Sequence, residues 1–143
     1  MWHACAVDLS YAPKPDGRPD PGEVVWTWVA YEDDPAQGKD RPVLVIGRDG
    51  EQLVGLMLTS KDHDRDAAQE AREGRFWFDL GSGAWDSRGR PSEVRLDRLL
   101  DLDPAAVRRE GAVLDEARYD TVVAAARGHL PDLDRAHPGR RPA

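Results

Sequence analysis

The alternation of apolar and polar residues along the chain predicts a small, mainly β domain. Residues 23–30 carry two apolar rows on opposite faces, a pattern typical of a strand buried on both sides. The apolar run at 42–47 and the segment at 52–59 flank Arg48-Asp49-Gly50-Glu51, whose Asp-Gly pair favours a tight turn. Residues 42–59 are therefore predicted to form a β-hairpin.

The second half of the chain predicts two further strands and a helix. Residues 75–80 and 92–97 alternate as strands do, and Asp103 before Pro104 predicts a short helical turn. Asp115 can cap a segment with apolar residues at helical spacing that ends near Gly128. Short strands and one C-terminal helix indicate a strongly bent β-barrel of about five to seven strands, with the helix packed on it or across a dimer interface.

Four segments show no such pattern. Residues 1–21 are rich in proline and predict an extended arm, and residues 131–143 predict a flexible tail. The acidic segment 31–40 predicts a mobile loop, and residues 61–74 predict either a loop or a short exposed helix. The folded domain is thus expected at 22–130.

Composition limits the class of protein. A chain of 143 residues fits one domain, and it contains no apolar stretch long enough to cross a bilayer and no signal-peptide pattern. We expect a cytoplasmic protein without a membrane contact. The single Cys5 and the absence of a zinc-type spacing predict neither an internal disulfide nor a metal or other cofactor.

The net charge of −7 argues at first against a nucleic-acid partner, because phosphate binding usually draws on surplus lysine and arginine. The charge is unevenly spread, however. Residues 1–40 contain eight acidic and three basic side chains, whereas residues 41–100 contain eleven and ten. The middle of the chain is nearly neutral, so nucleic acid remains a possible partner there.

Ordered blocks of the sequence resemble the MazF/PemK toxin family over residues 22 to about 130. The blocks are Pro21-Gly22-Glu23-Val24-Val25-Trp26, Gly38-Lys39-Asp40-Arg41-Pro42-Val43-Leu44-Val45-Ile46, Leu56-Met57-Leu58-Thr59-Ser60, Pro91-Ser92-Glu93-Val94-Arg95-Leu96-Asp97, residues 108–114 and the final helix. The sequence departs from the family at Glu23, where aspartate is usual, in the long insertion at 61–74, and in its N-terminal arm.

The resemblance implies an SH3-like barrel that forms a homodimer. It also implies metal-independent cleavage of single-stranded RNA at specific sequences, and neutralisation by a cognate antitoxin protein. The matching site residues are Arg41 as the catalytic cation, Thr59, and Ser60 as a weaker substitute for Thr59.

Chemistry supports the choice of Arg41 once the resemblance is given. Its planar fork can hold two phosphate oxygens, and Pro42 disfavours a helical backbone at Arg41, at the entrance of a strand. A solvated arginine at a strand end is the alternative. Thr59 can donate a hydrogen bond to a phosphate or orient a 2'-hydroxyl, or it serves only as a residue that favours strands.

A wider set of residues is predicted to contact RNA. The candidates are Lys39, Lys61, His63, Trp85, Arg88 and Arg90, with Arg95 and Arg98 along the same groove. Trp85 would stack on a base, as aromatic rings do with single strands. Interleaved Asp86, Glu93 and Asp97 allow the alternative of a salt-bridged barrel face, and the alternative for His63 is a histidine of a surface loop, which we favour. Trp26 and Trp28 are predicted to be core residues.

Two hypotheses from different classes follow. The chain is an endoribonuclease toxin in which Arg41 stabilises the transition state, Thr59 orients the substrate and the 31–40 loop closes over RNA. Alternatively, it is a catalytically inactive SH3-like barrel that binds protein or nucleic acid, since a fold alone does not fix a function.

Overall fold

The computed structural model describes residues 7–14, 19–60, 72, 75–107, 109–130 and 133. Seven strands lie within these residues: β1 (Glu23–Ala30), β2 (Gly38–Asp49), β3 (Gln52–Thr59), β4 (Trp77–Gly81), β5 (Ser92–Arg95), β6 (Leu100–Leu102) and β7 (Arg109–Val113). A 3-10 helix (Pro104–Ala106) precedes β7, and the helix α1 (Glu116–Arg127) follows it. The predicted mainly β domain with a C-terminal helix is confirmed.

The strands form one antiparallel sheet in the order β4-β5-β3-β2-β1-β7. Strand β3 bends the sheet, because its edge away from β2 is shared by two strands. Leu53 to Gly55 pair with β6, whereas Leu58 and Thr59 pair with β5. The result is a curled half-barrel, in agreement with the strongly bent β-barrel that the strand pattern predicted.

The hairpin of β2 and β3 has the predicted turn. Asp49 pairs with Gln52, and Gly50 adopts a positive φ of 64°, which residues with a side chain rarely adopt. Strand β2 begins earlier than expected, since its pairing with β1 continues to Ala30 and Gly38. The prediction of a loop through residue 40 is therefore wrong for its last three residues.

Both faces of the sheet are buried, so two apolar clusters form. The helix-side cluster includes Leu44, Ile46 and Leu56 and receives Tyr119 and Val122 of α1. The second cluster is formed by Val25, Val29, Val43, Val45, Leu53, Met57, Leu100 and Leu102. It is here called the cleft-side cluster, because its Met57 also lines a cleft in the surface. Neighbouring residues of β2 thus alternate between the two clusters, as strand geometry requires.

Helix α1 begins and ends as its sequence predicts. Asp115 Oδ2 accepts a hydrogen bond from the Arg118 backbone N–H at 3.0 Å, and the helix ends before Gly128. Its buried face packs on the barrel through Tyr119 and Val122, in agreement with the first of the two predicted placements. Asp103 similarly caps the 3-10 helix through Ala105 N–H.

The weaker sequence signals locate some strands incompletely. Strand β5 ends at Arg95, two residues before the predicted end, and β4 begins at Trp77 instead of residue 75. Strands β6 and β7 were not predicted individually. Strand β6 has only three residues, and β7 contains a glycine, so neither has a clear alternation.

Within the N-terminal arm, the described residues 7–14 pack on the barrel. Val7 is buried, Asp8 forms a β-bridge with Arg48, and the Tyr11 hydroxyl donates to the Leu114 carbonyl at 2.6 Å. At the other end of the chain, Leu133 is buried in the helix-side cluster. Apart from Leu133 and Arg72, the predicted 131–143 tail and 61–74 segment lie outside the described residues.

The two tryptophans of β1, which were predicted to be core residues, are less buried than expected. Trp28 has 43% of its surface exposed, and Trp26 is only half-buried, with its indole N–H donating to the Trp85 carbonyl at 3.2 Å. The pairing of β1 with β7 ends at Trp26 and Arg109, so β7 does not extend alongside Trp28. A core position for Trp28 is therefore wrong.

Candidate functional site

The candidate site lies where the β2–β3 hairpin opens. The pairing of these strands runs from Asp49 and Gln52 to Val43 and Met57, beyond which β3 pairs with β5 on its other edge. Pro42, the residue before Val43 in the chain, has no backbone N–H with which to extend the ladder between β2 and β3. Arg41 lies on the same strand face as Val43, at the end of the cleft-side cluster.

A cleft of about 280 Å³ opens at this point. We call it the arginine cleft, because four of its nine lining residues are arginines. Its lining residues are Ala30, Tyr31, Glu32, Asp33, Arg41, Met57, Arg75, Arg95 and Arg98. They come from the end of β1 and the loop after it, from β2 and β3, from the segment before β4, and from the end of β5 and the segment after it.

Arg41 is held by the centre of the sheet. It pairs across the β1–β2 ladder with Thr27, which is buried, and its own side chain is partly exposed to the cleft. Burial lowers the pKa of Arg41, while the nearby Tyr31 acts in the opposite direction. A partly desolvated guanidinium is attracted to an anion more strongly than one in water.

Arg95 is the most enclosed cation of the cleft. Its NH2 group donates to Glu32 Oε1 at 3.0 Å and to Asp97 Oδ2 at 2.9 Å, and its Nε also faces Asp97. Burial acts to lower the pKa of Arg95, but hydrogen bonds and charge attraction from Asp97 and Glu32 outweigh it and raise the pKa. Arg95 is therefore a permanently charged group.

Arg98 joins the cleft to the end of β1. Its NH2 group donates to the Ala30 carbonyl at 3.0 Å, and its NH1 group lies 3.9 Å from the Met57 sulfur. Burial lowers the pKa of Arg98; Glu32 opposes this, while Arg95 and Arg41 add to it through like charge. The arginines are thus close enough to influence one another, an arrangement that favours an anionic ligand.

The other predicted catalytic residues lie near the cleft but do not line it. Thr59 is half-buried, is two residues beyond Met57 on the same face of β3, and pairs with Glu93. Continuing the β2–β3 register past Val43 would place Thr59 opposite Arg41. Ser60 is exposed in the bend that follows the strand.

The prediction that Trp85 stacks on an RNA base is wrong. It is 4% exposed and belongs to the helix-side cluster, and its indole N–H donates to Ser92 Oγ at 2.9 Å. A ring enclosed in this way has no free face for a base. A sequence rich in turn residues suggested exposure, yet the turn folds back so that Trp85 completes the core.

The other predicted RNA contacts are spread over the surface. Lys39 is exposed on β2, two residues before Arg41, and Arg88 and Arg90 are exposed in the turn with Asp86. Arg90 Nε donates to Asp86 at 2.9 Å, so this pair forms a salt bridge, as in the alternative of a salt-bridged barrel face. None of these three lines the cleft. Lys61 and His63 lie outside the described residues.

The sequence did not single out four polar residues of the cleft: Tyr31, Glu32, Asp33 and Arg75. The first three lie in the 31–40 loop that was expected to close over RNA. The first three directly follow β1, and Arg75 lies two residues before β4. The signal that could have found them is position. In an antiparallel pair, residues just beyond the end of one strand lie near the start of the other strand. Residues 31–33 therefore lie near the start of β2, the strand that carries Arg41.

The described residues contain no group of three or more histidine, cysteine, aspartate or glutamate side chains placed to hold a metal ion. No helix within them is long and apolar enough to span a membrane. What the described cleft offers is a set of four guanidinium groups. Such groups bind phosphates or carboxylates through paired N–H donors.

Comparison with known proteins shows the family. Residues 20–130 match the sequence profile described as "PemK-like, MazF-like toxin of type II toxin-antitoxin system". The chain belongs to this family of PemK-like, MazF-like toxins. A comparison with curated proteins finds no significant match.

Solved structures of MazF proteins share the fold. A chain of the MazE–MazF crystal structure (form II) from Deinococcus radiodurans is 23% identical, with a TM-score of 0.50, over 82% of this chain and 96% of that one. The toxin MazF-mt6 of Mycobacterium tuberculosis is 15% identical, with a TM-score of 0.50, over 76% and 96%. The MazF-like toxin fold thus spans residues that include the cleft.

Proposed function

We propose that this MazF-like toxin is a metal-independent endoribonuclease that cleaves single-stranded RNA at specific sequences. The observation that carries the proposal is the position of Arg41. It stands at the open end of the hairpin in a cleft with three further arginines, where a phosphate can be enclosed by several guanidinium groups. The family supports a toxin, and the cleft suits a phosphodiester substrate.

The reaction proposed is attack of the adjacent 2'-hydroxyl on phosphorus. The bond from phosphorus to the 5'-oxygen breaks, the 2'-hydroxyl loses its proton and the 5'-oxygen gains one, which leaves a 2',3'-cyclic phosphate and a 5'-hydroxyl. Extra negative charge builds on the phosphate oxygens in the transition state. A fixed cation stabilises that charge without having to reorganise.

Arg41 supplies that cation in the proposal. Its lowered pKa follows from burial, which also strengthens its attraction for the phosphorane, and its side chain points into the space that the substrate would occupy. Thr59 is proposed to orient the substrate from the next strand. Ser60, which is exposed beside it, is a weaker candidate for the same role.

The same proposal includes the partners of the toxin. RNA is the substrate, a second copy of the chain forms a homodimer, and a cognate antitoxin protein neutralises the activity. The solved relative from Deinococcus radiodurans is a MazE–MazF complex, which motivates the antitoxin. Lys39, Arg88 and Arg90 are exposed and are proposed to extend the contact with RNA, for which Arg90 exchanges Asp86 for a phosphate.

Purified protein incubated with mixed RNA tests the proposal. We expect discrete fragments with 5'-hydroxyl ends, in the presence of EDTA as well as without it. Arg41→Ala should reduce the rate constant of cleavage roughly 10²–10³-fold, as expected when one donor to a developing oxyanion is removed. Arg41→Lys should retain part of the rate, because it keeps the charge but loses the planar fork.

Arg127→Ala is the control, since it removes an arginine of the last turn of α1 and should leave the rate unchanged. The proposal fails if no discrete fragments form, or if Arg41→Ala cleaves like the wild type. Mapping of the new 5' ends reports the recognised sequence in the same experiment.

An inactive binding module is the second candidate, and the net charge of −7 favours it, because RNA is repelled by an acidic protein. Expression in cells separates the two. The endoribonuclease arrests growth, Arg41→Ala does not, and co-expressed antitoxin restores growth. Harmless expression of a wild-type protein that still binds its partner would favour the module.

A further inference from the structure

The contact between Glu32 and Arg95 occupies the arginine cleft. Both carboxylate oxygens of Glu32 lie close to the Arg95 NH2 group, at 3.0 and 3.2 Å. The two residues are 63 positions apart, and Glu32 is in the loop that follows β1. A carboxylate therefore fills one anion position of the cleft.

The two carboxylates that face Arg95 are held differently. The side chain of Asp97 is 12% exposed and also accepts a hydrogen bond from the Phe76 N–H at 2.8 Å, so it is part of the framework around β4 and β5. The side chain of Glu32 is 55% exposed. Because water competes for an exposed carboxylate, the ion pair holds Glu32 less firmly than burial and the Phe76 N–H hold Asp97.

The Arg95 side chain, in contrast, is held in its position beside Asp97. Its side chain is 6% exposed, and its Nε and NH2 groups are both directed at Asp97. A buried guanidinium is costly without counter-charges, so loss of Glu32 from its position would favour another anion there. Of the two partners, only Glu32 can move without exposing buried structure.

The backbone near Glu32 is anchored, so exchange requires only a side-chain rotation. Arg98 holds the carbonyl of Ala30, and the Tyr31 N–H donates to the Gln37 carbonyl at 2.8 Å. A rotation about the Glu32 side-chain bonds would free the Arg95 NH2 group and leave both of these contacts in place. The vacated position lies in the same cleft as Arg41.

We propose that Arg95 is a second phosphate site of the toxin, which binds a backbone phosphate next to the scissile one and which Glu32 occupies when RNA is absent. This second site extends the proposed endoribonuclease function, and the identification of its ligand as RNA rests on that function. Glu32 then acts as a competitor that every bound RNA displaces. Removing its charge makes the site easier to fill.

Nuclear magnetic resonance of the arginine Nε–H groups tests the site without any cleavage. The Arg95 signal, assigned by its loss in Arg95→Lys, is followed during titration with inorganic phosphate and separately with a 2'-O-methyl oligoribonucleotide. We expect Glu32→Gln to bind both probes about two- to fivefold more tightly than the wild type, the range for loss of an ion pair whose carboxylate is exposed to water.

Asp33→Asn is the matched control, because it removes one negative charge from the lining of the same cleft. It reports the general electrostatic effect, which should be smaller than the effect of Glu32→Gln and should fade as salt rises. Equal tightening by the two variants, or no shift of the Arg95 signal with either probe, would overturn the proposal.

Two further outcomes are informative. Binding of inorganic phosphate without the oligonucleotide would assign the site to a free phosphate, and stronger binding of a glutamate-rich peptide would assign it to an acidic protein segment; either result overturns the RNA site. Cleavage by the wild type is assayed separately. Failure of the endoribonuclease proposal therefore shows as inactive wild-type protein, whereas failure of the second site shows in the titrations.

Discussion

Side chains that carry buried polar groups decide much of this structure. Tyr119 of α1 is almost fully buried against the barrel, and its hydroxyl lies 2.6 Å from both the Leu9 and the Ile46 carbonyl oxygens. Burial is the main cause that raises the pKa of Tyr119. One hydroxyl thus connects the helix, the N-terminal arm and β2.

Tyr119→Phe tests this connection. The variant keeps the ring and its packing but removes the one hydroxyl hydrogen that the two carbonyl oxygens share, so we expect the free energy of unfolding to fall by about 1–2 kcal/mol. Urea denaturation measures the change. Thr121→Ala, which removes an exposed hydroxyl on the same helix, should change stability by less than about 0.5 kcal/mol. Wild-type stability of Tyr119→Phe would contradict the connection.

Secondary-structure elements are delimited by residues at their ends. The cap of α1 is Asp115, whose carboxylate accepts hydrogen bonds from the side chain and backbone of Arg118. These bonds, the side-chain bond first, lower the pKa of Asp115. A carboxyl group with a lowered pKa in the folded state stabilises the fold above its unfolded pKa, and this contribution is lost as the pH falls through the folded pKa.

Asp115→Ala should therefore lower the melting temperature at neutral pH. The difference from the wild type should shrink as the pH falls below about 4, the usual pKa of aspartate, and through the lowered pKa. Thermal unfolding between pH 7 and 3 measures it. Asp115→Asn keeps a capping oxygen without the charge, so at pH 7 its melting temperature should lie between those of the wild type and Asp115→Ala. A difference that is independent of pH would exclude the charged cap.

On the scale of the molecule, the distribution of charge matters more than its sum. The protein is acidic, with a net charge of −7, yet its cleft gathers four arginines. A ligand that enters the cleft meets a local field set by these groups and by the low-dielectric walls around them. Net charge alone therefore misjudges what the cleft can bind.

The salt dependence of RNA binding tests whether Arg41 of the cleft contacts a phosphate. The logarithm of the affinity for a 2'-O-methyl oligoribonucleotide should fall linearly with the logarithm of salt concentration, by about 0.7 for each phosphate neutralised. Arg41→Ala should reduce the magnitude of the slope by about 0.7, and Arg127→Ala should leave it unchanged. Fluorescence anisotropy between 50 and 300 mM salt, roughly the range in which screening changes most, is the measurement. An unchanged slope for Arg41→Ala would show that Arg41 contacts no phosphate.

The sequence determined the elements whose signals are local. Alternation located β1, the Asp-Gly turn located the hairpin, and Asp115 located the start of α1, because each depends on residues a few positions apart. Pro42 likewise marked the strand position of Arg41. The family blocks agreed with these elements, and the resemblance is confirmed over residues 20–130.

Only the tertiary structure decided what each face meets. Alternation cannot show that Trp28 lies beyond the end of β7 or that the turn around Trp85 folds into the core. Nor can it pair Glu32 with Arg95, because an ion pair across 63 positions forms only when the curled sheet brings the end of β1 to β5. Burial and ion pairing depend on distant chain segments, so the composition of the cleft emerged only from the fold.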